Sequence, residues 1–146
     1  MKYTVDIIID LPRPKVISLF DNPDNMHKWQ PDLVSFDHLS GDPGQPGAKS
    51  KLHYKMGKRE MEMIETVTKN DLPNEMCGTY ETKGVFNIIS NRFEEVSEKQ
   101  TRWVSENEFQ FSGYMKLLGI FMKGAFPKQT LKFMNQFKTF AENETS

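Results

Sequence analysis

The sequence predicts an α+β fold: a curved antiparallel sheet of about seven strands wrapped on one long C-terminal helix, with two short helices after the first strand. Three observations carry this. Segments of alternating apolar and polar residues recur along the chain and are joined by tight turns. Two helix-start signals follow the first such segment. After Gly113 the apolar spacing changes from two to three and four, and stays so to residue 142.

Residues 2–9 place Tyr3, Val5, Ile7 and Ile9 on one side and read as the first strand. Pro12 and Pro14 suit a helix start, because first-turn amides have no partner within the helix. Val16, Leu19 and Phe20 give that helix its apolar face. Asn22-Pro23 starts a second short helix, with Met26 and Trp29 on one side and Pro31 closing it. A strand over 33–39 ends in Gly41-Asp42-Pro43-Gly44-Gln45-Pro46-Gly47, whose glycines and prolines forbid regular structure and mark a defined loop. Residues 51–56 and 59–69 pair across Gly57-Lys58, and Asp71-Leu72-Pro73-Asn74 turns the chain. Residues 75–82, 85–96 and 101–111 make three more strands, joined at Lys83-Gly84 and at 97–100. Connections this short make neighbours antiparallel. The pattern from 114 to 142 predicts one long helix, kinked or broken near Phe126-Pro127, because proline removes an amide and clashes with the carbonyl of Lys123.

One domain, spanning 1–146, suits a chain of 146 residues. Its 11 Phe, 9 Met, 4 Tyr and 2 Trp suffice for a substantial core. Lys+Arg 19 against Asp+Glu 20 leaves a net charge of -1, so nothing favours a nucleic-acid backbone as partner. Cys77 has no second cysteine to pair with and reads as a small strand hydrophobe, which suits a reducing compartment. No apolar signal core opens the chain, and Met115–Phe126 is too short and too charged to span a bilayer, so the expected location is the cytoplasm. Asn143-Glu144-Thr145 matches a glycosylation sequon that has no meaning without export.

Strand parity sorts the two faces of the sheet. Leu52, Tyr54 and Met56 face inward, since Lys51, His53 and Lys55 alternate with them. Trp103, Ser105, Asn107, Phe109 and Phe111 share one parity in the last strand, and Asn87, Ile89, Asn91 and Phe93 match it in the strand before. Residues 59–67 stay open, with Met61, Met63 and Glu65 opposed to Glu60, Glu62, Ile64 and Thr66, and a bulge could switch faces. Aromatics, methionines and a few amides together fit a small-molecule pocket. A filled core in which the three asparagines satisfy backbone groups fits the same pattern. The candidate ligand-binding residues are Leu52, Tyr54, Met56, Asn87, Ile89, Asn91, Trp103, Asn107 and Phe109 from these faces, with Trp29, Met63 and Tyr80, and from the helix Leu118, Phe121, Met122 and Phe126.

Three local patterns carry a family resemblance. They are Ile9-Asp10-Leu11-Pro12 running through Val16, Phe20, Asp21 and Pro23 to Trp29-Gln30-Pro31; the glycine-rich loop with Gly47-Ala48-Lys49-Ser50-Lys51-Leu52; and Glu65-Thr66-Val67 followed by Asp71-Leu72-Pro73. In this order the whole chain resembles the START-like (SRPBCC) superfamily of helix-grip proteins, which includes the birch-pollen allergen and proteins grouped as polyketide cyclase/dehydrase and lipid transport. The resemblance implies a cavity between sheet and helix that takes a lipid-like, aromatic or polyketide-like molecule. It implies no catalytic motif, because the superfamily shares none.

Three functions compete. The first is carriage or sensing of a small apolar ligand. The second is a cyclase or dehydratase, for which Glu65 or Glu62, with Tyr54 and Tyr80, are the only acids or bases offered by the strands. Exposure of both glutamates would remove it. The third is an interaction module resembling chaperone-activator domains, with the apolar first half of the long helix as its surface. No metal and no nucleotide is expected. His27, His38 and His53 read as surface residues, no ligand spacing or phosphate loop occurs, and Lys49, Lys51, Lys55, Lys58 and Arg59 read as a solvated edge.

Overall fold

The computed structural model describes residues 1–144, so Thr145 of the sequon lies outside the described residues. Seven strands form one curved antiparallel sheet: β1 (Lys2–Ile9), β2 (Leu33–Ser40), β3 (Lys49–Met56), β4 (Arg59–Asp71), β5 (Glu75–Thr82), β6 (Val85–Ser97) and β7 (Gln100–Phe111). Their order across the sheet is β1-β7-β6-β5-β4-β3-β2. From β2 to β7 the chain meanders through short turns; only β1 is displaced, pairing along its whole length with β7. Gly57, at φ +65°, makes the two-residue turn between β3 and β4 in a conformation that side chains resist.

The link from β1 to β2 holds α1 (Arg13–Phe20), a single 3-10 turn (Pro23–Asn25) and α2 (Met26–Trp29). The Asn22 side chain accepts from the Asp24 amide at 3.0 Å, the cap that the Asn-Pro pair predicts. The loop after β2 is tied to β4: the Gly47 amide donates to the Val67 carbonyl at 2.8 Å, and Asn70 Nδ2 donates to the Gly44 carbonyl at 2.7 Å.

The C-terminal helical region is broken rather than kinked, three residues before the expected position. It is two helices, α3 (Met115–Phe121) and α4 (Ala125–Asn143), parted at 122–124. Pro127 falls in the first turn of α4, where a missing amide costs no hydrogen bond. The break therefore precedes the proline rather than falling on it. Met134, Phe137 and Ala141 recur at three and four along α4 and are fully buried. Phe137 meets Trp29, Trp103 and Phe20 edge-on, with centroids 5.2, 5.5 and 5.9 Å away. Two contacts pin α4 to β1. Tyr3 shares a 2.7 Å hydrogen bond with Thr130, and Lys138 donates to the Ile8 carbonyl at 2.7 Å.

Candidate functional site

Register decides which side chains share the face under α4. One cross-strand row runs Ser50, Glu65, Tyr80, Asn87, Phe109, each the direct partner of the next. The neighbouring row runs Val67, Gly78, Ile89, Asn107, Tyr3. Met63 pairs with Leu52, which settles residues 59–67: Met61, Met63 and Glu65 point inward, and the irregularity in β4 comes only after Val67. Glu60 and Glu62 point outward beside His53 and Lys51, at 3.7 and 3.4 Å.

The two ends of this interior differ. At one end Trp103, 4% exposed, stacks on Phe93 at 5.8 Å and meets Phe20 and Phe137. With Ile9, Leu11 and Val16 these rings form the aromatic core, in which Trp103 is buried and against which Trp29 packs half-buried. The asparagines are engaged in the sheet. Asn91 Oδ1 accepts from Trp103 Nε1 at 2.9 Å; Asn87 Nδ2 donates to Asn107 Oδ1 at 3.3 Å; and Asn107 Nδ2 donates to Ser105 at 2.9 Å. Among the described residues no buried side-chain N or O lacks a partner.

At the other end the inner face stays partly accessible. Met63, Glu65, Tyr80, Ile89 and Phe109 are only half-buried, although all five face inward and protein atoms crowd Glu65 and Tyr80. Gly78 contributes no side chain at the centre of this region, and none could be added simply, since a Cβ there would meet the Thr66 carbonyl oxygen at 2.9 Å. Tyr80 donates to Glu65 Oε2 at 2.6 Å, and Tyr54 donates to Gln30 Oε1 at 2.6 Å. Leu52, Tyr54, Met63 and Phe133 supply the apolar walls around this pair. Met56, of the same parity, is half-buried at the strand's end.

Burial sets the chemistry of this group. It raises the Glu65 carboxyl above its ordinary range, and the hydrogen bond from Tyr80 offsets only part of that rise. Burial likewise pushes Tyr54 and Tyr80 well above the ordinary phenol range, and the nearby Glu65 adds to both shifts. The arrangement can accept a hydrogen bond at the carboxyl or deliver a proton from it, in largely apolar surroundings.

The helix residues expected to face the sheet divide. Phe126 does so, with its ring 4.8 Å from Phe109 and 5.5 Å from Phe111. Leu118 is half-buried. Phe121 and Met122 are exposed and line nothing, because the break at 122–124 lets α3 turn this side to solvent. Gly119 is the docking point of α3: a Cβ there would lie 2.8 Å from the Phe111 ring. Open grooves of about 380 and 430 Å³ flank this contact and share Phe111 as a wall.

Gln30 and Phe133 went unassigned in the sequence. Gln30 sits beside Trp29 in a quoted motif, but only the fold brings it to Tyr54. Phe133 belongs to the helical apolar stripe, which does not tell core from cleft.

A family model described as "Polyketide cyclase / dehydrase and lipid transport" matches residues 1–138. A search of curated protein sequences finds no match. Among solved structures, the ZhuI aromatase/cyclase from Streptomyces sp. R1128 superposes with a TM-score of 0.85 at 9% identity, covering 100% of this chain and 96% of that one. Ara h 8.0201 superposes at 0.79 with 12% identity, covering 98% of each chain. A norcoclaurine synthase from Thalictrum flavum, solved with a transition-state analogue, superposes at 0.73 with 10% identity, covering 100% of this chain and 96% of that one. At such identities the likeness establishes the fold alone.

Proposed function

Because the chain belongs to the polyketide cyclase / dehydrase and lipid transport family, we propose that it binds a small, largely apolar molecule carrying one hydrogen-bonding group, held between the sheet and α4. The observation that carries this reading is the Glu65–Tyr80 pair: a carboxyl and a phenol joined at 2.6 Å on the inner face, crowded by protein atoms in residues that are only half-buried. Met63, Ile89, Phe109, Phe126 and Phe133 offer the guest apolar contact, and the carboxyl fixes its orientation.

The test uses an environment-sensitive apolar dye and native mass spectrometry of the purified protein. Saturable dye binding, or a co-purified small molecule, supports the reading. Ile89→Trp should fill the space and abolish binding while the fold survives, at a cost of about 1–3 kcal/mol. No dye binding by the wild type together with no co-purified molecule would sink it.

Acid-catalysed cyclisation or dehydration is a second reading, favoured by the same carboxyl. A protonated Glu65 carboxyl, favoured by its burial, could give its proton to the departing hydroxyl, which leaves as water, and the carboxylate so formed could take the α-proton, forming the C=C bond and restoring the acid. Glu65→Gln would then keep dye binding but lose turnover of a β-hydroxyketone substrate; unchanged turnover would exclude Glu65 as the acid.

A further inference from the structure

We propose that α3 is a docking element for the surface of an anionic lipid bilayer. The helix presents apolar side chains to solvent as well as to the protein. Gly119 faces the protein against Phe111, while Leu117, Ile120 and Phe121 point away, with Ile120 71% and Phe121 83% exposed. Tyr114 and Met122, at its two ends, are exposed as well. This places two aromatic and three aliphatic side chains, all exposed among the described residues, in one short stretch. Among the described residues no helix is long and apolar enough to cross a membrane, so the element would lie on a bilayer rather than span it.

Charge selects the partner. From residue 109 to residue 141 the sequence contains five lysines and no aspartate or glutamate, in a chain whose net charge is -1. Lys116 and Lys123 line the 430 Å³ groove together with Ile120 and Gly119, so cationic and apolar groups share one edge. The acid that immediately precedes the stretch, Glu108, lies 3.5 Å from Lys2. Apolar side chains inserted at the headgroup boundary with ammonium groups beside them match the chemistry of an anionic leaflet. A second copy of the chain matches it less well, because a two-fold contact of α3 on α3 would bring Lys116 and Lys123 toward their own counterparts. The inference stands apart from the pocket reading, since vesicle binding needs no guest in the cleft.

The experiment is flotation of the full chain with phosphatidylcholine vesicles, with and without phosphatidylglycerol. Binding should appear with the anionic vesicles and weaken as salt rises. Lys116→Gln with Lys123→Gln should weaken it roughly 5- to 30-fold. Ile120→Ser with Phe121→Ser should abolish it, and because both side chains are exposed the variant should keep its circular dichroism and thermal midpoint. Equal binding to neutral and anionic vesicles, or no effect of either pair of substitutions, would overturn the proposal. So would absence of vesicle binding, with concentration-dependent self-association lost in the Ile120/Phe121 variant assigning the face to a second copy.

Discussion

Trp103 and Glu65 lie on the same face of one sheet and do opposite things there. Trp103 is ringed by Phe20, Phe93 and Phe137, and its indole N–H is taken up by Asn91. Trp103→Ala should therefore cost about 3–5 kcal/mol in urea denaturation, because a solid core cannot collapse onto the space. A loss well under that range would mean that the indole borders free volume. Glu65 has its carboxyl raised above the usual 4.5 by burial, so between pH 4.5 and its folded pKa the folded chain holds a proton that the unfolded chain has released. More protons bound in the folded state means that stability falls as pH rises through that window. Glu65→Gln has no proton to lose. The stability difference between variant and wild type should be level below about pH 4.5 and shift in the variant's favour toward neutral pH. A flat difference would place the carboxyl in ordinary solvent.

At the scale of elements, the C-terminal helices show how a local rule and a global one divide the work. Proline makes an uninterrupted helix through 127 costly, and the chain answers by starting a new helix at Ala125, so that Pro127 enters the first turn. Pro127→Ala should then change stability by less than about 1 kcal/mol, against roughly 3 for a proline inside a helix, with the interruption at 122–124 kept. Equilibrium denaturation and amide exchange through 121–128 would check both parts. A gain near 3 kcal/mol would mean that the proline strains a helix that otherwise runs on. The same break explains the fate of Phe121 and Met122. Their spacing places them on an apolar stripe, but α3 is apolar nearly all round, and spacing cannot choose the buried side. The small Gly119 chooses it, by admitting the Phe111 ring.

For the whole molecule, α4 is the member shared by both halves of the interior: Met134, Phe137 and Ala141 close the aromatic end, and Phe133 reaches the cluster of Leu33, Leu52 and Tyr54. We expect one cooperative thermal transition, with calorimetric and van't Hoff enthalpies in agreement. A separate early transition, reported by a probe near Tyr54 but not near Trp103, would show that the end with Tyr54 melts by itself.

Unlike the pairing of β1 with β7, the succession of strands along the chain, their boundaries within a few residues and the inward parity of Leu52, Tyr54, Asn87 and Trp103 were all legible in the sequence. Each follows from period-two alternation and from glycine or proline at the turns, which act over a few neighbouring residues. The inward side of Glu65 was not legible, because its strand carries methionines on one face and Ile64 with Thr66 on the other. Only pairing with β3, whose inner face is unambiguous, removed the choice. The meeting of Tyr80 with Glu65, of Gln30 with Tyr54 and of Gly119 with Phe111 joins residues 15, 24 and 8 positions apart. That side chains pack fully at Trp103 and only half-buried at Tyr80 was likewise decided by the tertiary structure. A sheet curved around one helix leaves room according to how far its strands diverge from that helix, and this distance is a property of the assembled layers rather than of any local pattern.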